Sequence, residues 1–114
     1  MRSQVKLFKA LSDPNRLRIL KMLEERELCV CEITNILGLA TSTVSKHLSI
    51  LRDNELIIDR KIGKWVNYSL NGECHETEIK PILEHVNTIL NSHDEIIKDR
   101  KKLQRTDRYN ICKL

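Results

Sequence analysis

The sequence predicts a mainly α winged helix-turn-helix, built of helices plus one β-hairpin wing and acting as a homodimer. Three observations predict it. Between Leu28 and Leu51 two short helical patterns meet at a glycine, and the second carries a polar and basic outer face. A hairpin with a basic tip follows directly. An apolar stripe near the C-terminus is longer than so small a core can cover.

Composition sets the bounds. The 114 residues suffice for one compact core. Hydrophobic residues make up 40% and charged ones 32%, so a folded domain is expected. With 3 Gly, 2 Pro and 4% aromatics, that domain should be helical with a Leu/Ile core. A net charge of +4 agrees with a polyanionic partner without demonstrating one. No apolar run reaches transmembrane length and no secretory leader is present, so a cytoplasmic protein without membrane contact is expected. In that compartment the four cysteines should be reduced, as ligands or sensors rather than structural bridges. There is no paired-carboxylate, phosphate-loop or nucleophile–base pattern, and an enzyme is not expected.

Val5, Phe8 and Leu11 are spaced for a short first helix with one apolar face. Asp13 can cap a second helix, and Pro14 suits its first position because the missing N–H would have no partner there. That helix runs to about Glu25 with Leu17, Leu20 and Leu23 in its apolar set. The run Glu24-Glu25-Arg26-Glu27 reads as a solvated helix end.

Val30, Ile33, Ile36 and Leu37 mark the third helix, and Gly38 fits the positive φ of a helix C-terminus. Thr41 or Ser42 is a ready N-cap for the fourth. There Val44, Leu48 and Leu51 form one apolar stripe. Ser42, Thr43, Ser45, Lys46, His47, Ser49 and Arg52 occupy the rest, the face expected in the major groove of double-stranded operator DNA.

Leu56–Ile62 and Trp65–Leu70 read as two strands joined at Gly63-Lys64, with glycine where a type II′ turn requires it. Arg60, Lys61 and Lys64 make the tip basic. Charge there can simply keep an edge soluble; beside a helix-turn-helix, contact with DNA phosphates is the stronger expectation.

From a start between His75 and Pro81, apolar residues recur at three- and four-residue steps from Ile79 to Leu103. The spacing predicts one continuous helix of about seven turns with a face left for a second copy of the chain. The domain division expected is 1–92 for DNA binding and dimerisation and 93–114 for the helix end and a solvated basic tail.

This order of elements resembles the ArsR/SmtB family of metal-responsive winged-helix repressors. The resemblance runs from about Val5 to about Leu90. It rests on Leu11-Ser12-Asp13-Pro14-Asn15-Arg16-Leu17-Arg18-Ile19-Leu20, on Glu27-Leu28-Cys29-Val30-Cys31-Glu32, on Ser45-Lys46-His47-Leu48 and on Gly63-Lys64-Trp65-Val66. It implies a homodimeric repressor that holds operator DNA when empty and releases it on binding a ligand. The Leu-Cys-Val-Cys motif is similar to that of arsenite and antimonite repressors, with As(III) or Sb(III) as inducer and no constitutive cofactor. The third cysteine usual in that subgroup is Thr34 here. The cadmium and lead subgroup takes two further cysteines from a segment before this motif, and no cysteine precedes Cys29.

Thiolates are the favoured ligands of thiophilic ions. In a regular helix, however, residues i and i+2 point about 200° apart. Cys29 and Cys31 could share one ion only if the first turn were distorted, which would also make that turn a switch. The plainer reading is two buried helix cysteines. Additional ligands are sought in Cys74, Cys112, His85 or a small cellular thiol. Cys74 and His85, eleven residues apart, would share one face of the long helix. In the resemblance they are two of four positions of a zinc-type site whose others are Gly72 and Thr88. Competing expectations are a repressor of the same fold sensing Cd, Pb, Zn, thiol oxidation or sulfide, and a zinc-stabilised winged-helix interaction module.

Overall fold

The computed structural model describes residues 1–74 and 78–106. Its elements are α1 (Arg2–Leu11), α2 (Pro14–Glu25), β1 (Leu28–Cys29), α3 (Val30–Leu37), α4 (Thr41–Asp53), β2 (Ile57–Ile62), β3 (Trp65–Leu70), α5 (Ile79–Thr88) and α6 (Asp94–Arg105). The strands form one antiparallel sheet in the order β1-β3-β2. The architecture is a winged helix-turn-helix. Among the described residues no helix is long and apolar enough to cross a membrane.

Local chemistry places most boundaries. Asp13 caps α2, its carboxylate accepting from the Arg16 N–H at 3.0 Å, with Pro14 next in line. Gly38 ends α3 in the left-handed region, φ +69°. Val44, Leu48 and Leu51 of α4 are fully buried, as their spacing requires. Gly63 turns the wing at φ +61° while Lys64 keeps a negative φ, the pattern of a type II′ turn.

Five expectations are corrected. First, α4 is capped by Ala40 without a side-chain hydrogen bond, so Thr41 and Ser42 lie inside the helix. Second, Leu28 and Cys29 are not helical. They pair with Tyr68 and Asn67 of β3 as a third strand too short to show a period of two.

Third, the expected seven-turn helix is two helices. Ile89 is extended and Leu90 takes φ +66°, a left-handed conformation that costs a leucine about 1–2 kcal/mol. Lys21, wholly buried, donates from Nζ to the Val86 carbonyl at 2.8 Å, closing α5 with a cation at its negative end. The chain restarts at His93, whose Nδ1 accepts from the Glu95 N–H at 3.3 Å, with Asp94 and Glu95 suited to the positive end of α6. Fourth, the basic segment is a docked helix as far as Arg105. Ile96 and Leu103 of α6 are buried, and Arg18 of α2 holds Asp99 through two 2.9 Å hydrogen bonds. That carboxylate raises the Arg18 pKa above its ordinary value. Nor is Glu24 solvated: its carboxylate meets Lys21 at 2.8 Å and Arg100 at 3.2 Å.

Candidate dithiol and nucleic-acid interface

On α4, Ser42, Thr43, Ser45, Lys46 and Arg52 are exposed, while Ser49 is half-buried. The apolar stripe fixes this orientation by locking the opposite face into the core. His47 is turned toward α2. Its Nδ1 lies 3.1 Å from Arg16 Nη1 and 4.0 Å from the Asp13 carboxylate. Arg16 also donates to the carbonyls of Ala10 and Lys9, so this cluster fastens α4 to the α1–α2 corner.

Arg52 bridges the recognition helix and the wing. Its Nη1 donates to Asp59 Oδ2 on β2 at 3.1 Å, and that hydrogen bond raises the guanidinium pKa. Asp59 also adds to the burial that raises the Tyr68 phenol. At the tip, Lys61 and Lys64 are exposed, and Arg60 reaches back to Glu27 at 3.2 Å. The exposed side chains of α4 and the wing leave a polar, cationic surface suited to a phosphate backbone.

The dithiol sits where α3 begins. Cys29, 3% exposed, is the N-cap of α3 in extended conformation, φ −90° and ψ 165°. Its sulfur accepts from the Glu32 N–H, and Glu32 Oε1 accepts from the Cys29 N–H at 3.0 Å. This is a capping box with sulfur in place of the usual hydroxyl. Because Cys29 lies before the helix, the 200° separation expected of two helical cysteines does not apply to this pair. Cys31, half-buried one residue into α3, is disulfide-bonded, which corrects the expectation that all four cysteines are reduced; neither Cys29 nor Cys74 is its partner.

Glu32 is fully buried, and its second oxygen accepts from Arg26 Nη1 at 3.0 Å. Sequence reasoning passed over both residues, treating Arg26 as part of a wet run. The available signal was spacing: a cap residue followed three positions later by Glu. Asn67, opposite Cys29 across the β1–β3 ladder, was also missed. Its Oδ1 is buried without a hydrogen-bond partner among the described residues.

Cys74 and His85 do not share a helix, because α5 begins at Ile79. Cys74 packs half-buried against the core, while His85 is exposed beside an apolar cleft. Among the described residues no group of three or more His, Cys, Asp or Glu side chains could hold a metal ion. Cys112 lies outside the described residues.

The model of the family described as "Bacterial regulatory protein, arsR family" matches residues 13–59, from the α2 cap to the first strand of the wing. The arsenical resistance operon repressor of Staphylococcus xylosus is 37% identical over 92 residues, covering 78% of this chain and 81% of that protein. The arsenical resistance operon repressor of Escherichia coli K12 is 46% identical over 68 residues, covering 59% of this chain. The match spans only 58% of the length of that relative. Among solved structures, the homodimeric winged helix-turn-helix DNA-binding domain of a possible ArsR-family regulator from Mycobacterium bovis superposes with a TM-score of 0.66 at 26% identity, covering 81% of this chain and 82% of that one.

Proposed function

The chain belongs to the ArsR family of bacterial regulatory proteins, and from that premise we propose that it is a homodimeric transcriptional repressor released from operator DNA by trivalent arsenic or antimony at Cys29 and Cys31. Its relatives are transcriptional regulators rather than enzymes, and its place of action is the cytoplasm. One observation carries the reading: Cys29 is at once the cap of α3 and the residue that pairs with the wing strand. A ligand that takes the Cys29 sulfur removes it from the Glu32 N–H. The α3 cap then opens and the β1–β3 pairing is strained at the same place. Helix-turn-helix and wing shift together, and both face the DNA. Capping contacts of this kind contribute about 1 kcal/mol, small enough for a tight ligand to overturn.

In this reading Ser42, Thr43, Ser45, Lys46 and Ser49 meet base edges, while Lys61 and Lys64 meet phosphate. Arg52 and Arg60 hold the wing in place, Arg52 against α4 and Arg60 against Glu27. His47 sets the recognition helix against Arg16 rather than reading sequence. The dimer forms around the outward apolar surface of α1 and α5. Phe8 is 61% exposed there, beside a cleft of about 380 Å³ lined by Leu11, Leu17, Ile82 and Ile89. A second copy covers it, as the homodimeric relative suggests.

The test is an anaerobic DNA-release titration with arsenite, antimonite, cadmium, lead and zinc. Cys29→Ser and Cys31→Ser should each abolish release by arsenite and leave operator binding without ligand intact. An arsenite response surviving in the double variant would overturn the sensing assignment. A second reading, oxidation of Cys31 as the signal, is favoured by its disulfide, in which Cys29 takes no part; it requires release by an oxidant alone, reversed by a phosphine.

A further inference from the structure

From Ile97 to Arg105, the ionisable residues that α6 leaves open to solvent are all cations: Lys98, Lys101, Lys102 and Arg105. At 3.6 residues per turn they fall within about 100° of the helix circumference and about 10 Å of its length. Asp94 lies one turn before this stripe, at the positive end of the helix. The other carboxylates are drawn inward. Asp99 is buried against Arg18, and Glu95 meets the same guanidinium at 3.2 Å. Arg100, the one cation that turns away from the stripe, meets Glu24 at 3.2 Å and Glu25 at 3.7 Å.

A run of charge is ordinarily a solvated helix face. Three features set this one apart. Its place is fixed, because Ile96 and Leu103 are buried and Arg26 Nη2 donates to the carbonyls of Leu103 and Thr106. Its charge is uncompensated, since the side chains of Lys98, Lys101 and Arg105 make no ion pair among the described residues. And it adjoins the helix-turn-helix. Lys102 donates from Nζ to the Ile36 carbonyl at 3.4 Å, in the last turn of α3, just before the Gly38 turn that leads into α4. In a helix-turn-helix the first helix crosses the DNA backbone while the second enters the major groove. A cationic face beside that crossing meets sugar and phosphate rather than base edges. Its length of about 10 Å matches about three phosphates of one strand.

We propose that this face of α6 is a second DNA contact, holding the phosphate backbone just outside the half-site read by α4. The proposal rests on the DNA-binding reading above and extends its surface beyond the recognition helix and the wing. The contact is electrostatic, so it adds affinity and footprint without adding base preference. The inward pairing of Asp99 with Arg18 serves it by keeping that carboxylate off the outer face.

The test uses the full chain and a duplex that it selects from a random pool. The duplex is prepared as the bare inverted repeat and with about one helical turn, ~10 base pairs, of mixed sequence on each side. The wild type should bind the flanked duplex about tenfold more tightly at low salt, with a steeper dependence of log affinity on log salt. The triple variant Lys98→Gln, Lys101→Gln, Arg105→Gln should lose that advantage. Its slope on the flanked duplex should fall by about three to five units, since a dimer loses six cations at ~0.9 each. On the bare repeat the slope should fall by less than about one. Lys102 is left in place because it fastens α3. The charge-keeping triple Lys98→Arg, Lys101→Arg, Arg105→Lys should match the wild type on both duplexes.

Equal slopes for the wild type and the Gln variant on the flanked duplex overturn the proposal and leave the face to an acidic protein or to solvent. An equal fall on both duplexes overturns it too, by moving the stripe inside the half-site. So does a fall in the charge-keeping triple, which marks a structural role. Failure here is distinct from failure of the DNA-binding reading. If the Gln variant behaves as the wild type while Lys64→Ala still lowers the slope, only the α6 contact is wrong; a full chain that selects no duplex overturns both.

Discussion

Helices α5 and α6 share one apolar periodicity in the sequence and use it in opposite ways. In α5 the inward residues Ile79, Leu83 and Val86 are buried, and the outward Ile82 and Ile89 line a cleft open beside the exposed Phe8. In α6 the apolar residues Ile96 and Leu103 are buried within the same chain. Its remaining attachments are polar: ion pairs of Asp99 with Arg18 and Arg100 with Glu24, and hydrogen bonds from Arg26 to the carbonyls of the helix end. The difference teaches that helical spacing of apolar residues signals burial but not the partner. Between the two lies Leu90 at φ +66°, which turns the second half of the stripe back onto α2.

The sharpest way to break this contrast is at the outward face of α5. Changing Ile82 and Ile89 together to Glu should give a folded monomer that no longer binds an inverted-repeat operator, because one recognition helix cannot span two half-sites about 34 Å apart. Sedimentation and gel shift read the two effects. A wild-type chain that is monomeric at micromolar concentration would remove the reason for calling this face an interface.

The matching change in α6 should act on stability alone. Asp99→Ala leaves the Arg18 guanidinium partly buried without its main partner, at a cost of about 2–3 kcal/mol. Urea unfolding should show that loss, while sedimentation still reports a dimer. If Asp99→Ala dissociates the dimer instead, α6 belongs to the interface and the two helices are less different than described.

Smaller effects are expected on the DNA side, where the proposed dimer would set the spacing of two equal surfaces. Lys46→Ala should change which operator bases are preferred, by about 1–2 kcal/mol at the affected positions. Lys64→Ala should weaken all sequences alike and reduce the slope of log affinity against log salt by about one. Equal loss across all sequences for Lys46→Ala would move that residue from base reading to phosphate contact.

The candidate site divides along the same line. The two thiols, the polar face of α4 and the basic wing tip were legible because each is a short pattern. What holds them was not. Arg26 and Asn67 look like ordinary surface residues in sequence, and they matter only because β1 meets β3 and α6 returns to α3; Glu32 was legible from its place three residues after Cys29 and was passed over.

By itself the sequence determined most features whose cause lies within a few residues, the Ala40 cap of α4 and the Cys29–Glu32 capping box excepted. Asp13-Pro14 starts α2, Gly38 ends α3, Gly63 turns the wing, and Val44, Leu48 and Leu51 orient the recognition helix. In each the backbone conformation follows from a side chain at hand, a cap, a free φ or a stripe of fixed period. Tertiary structure alone decided β1, the break at Leu90 and the docking of α6. Strand β1 has only two residues and exists through its partner Asn67, 38 positions on. The left-handed Leu90 is unfavourable locally and is sustained by contacts such as Arg18–Asp99, 81 residues apart. Such contacts carry no local periodicity, so no window of sequence contains their cause; they form only once the core has brought distant segments within hydrogen-bond reach.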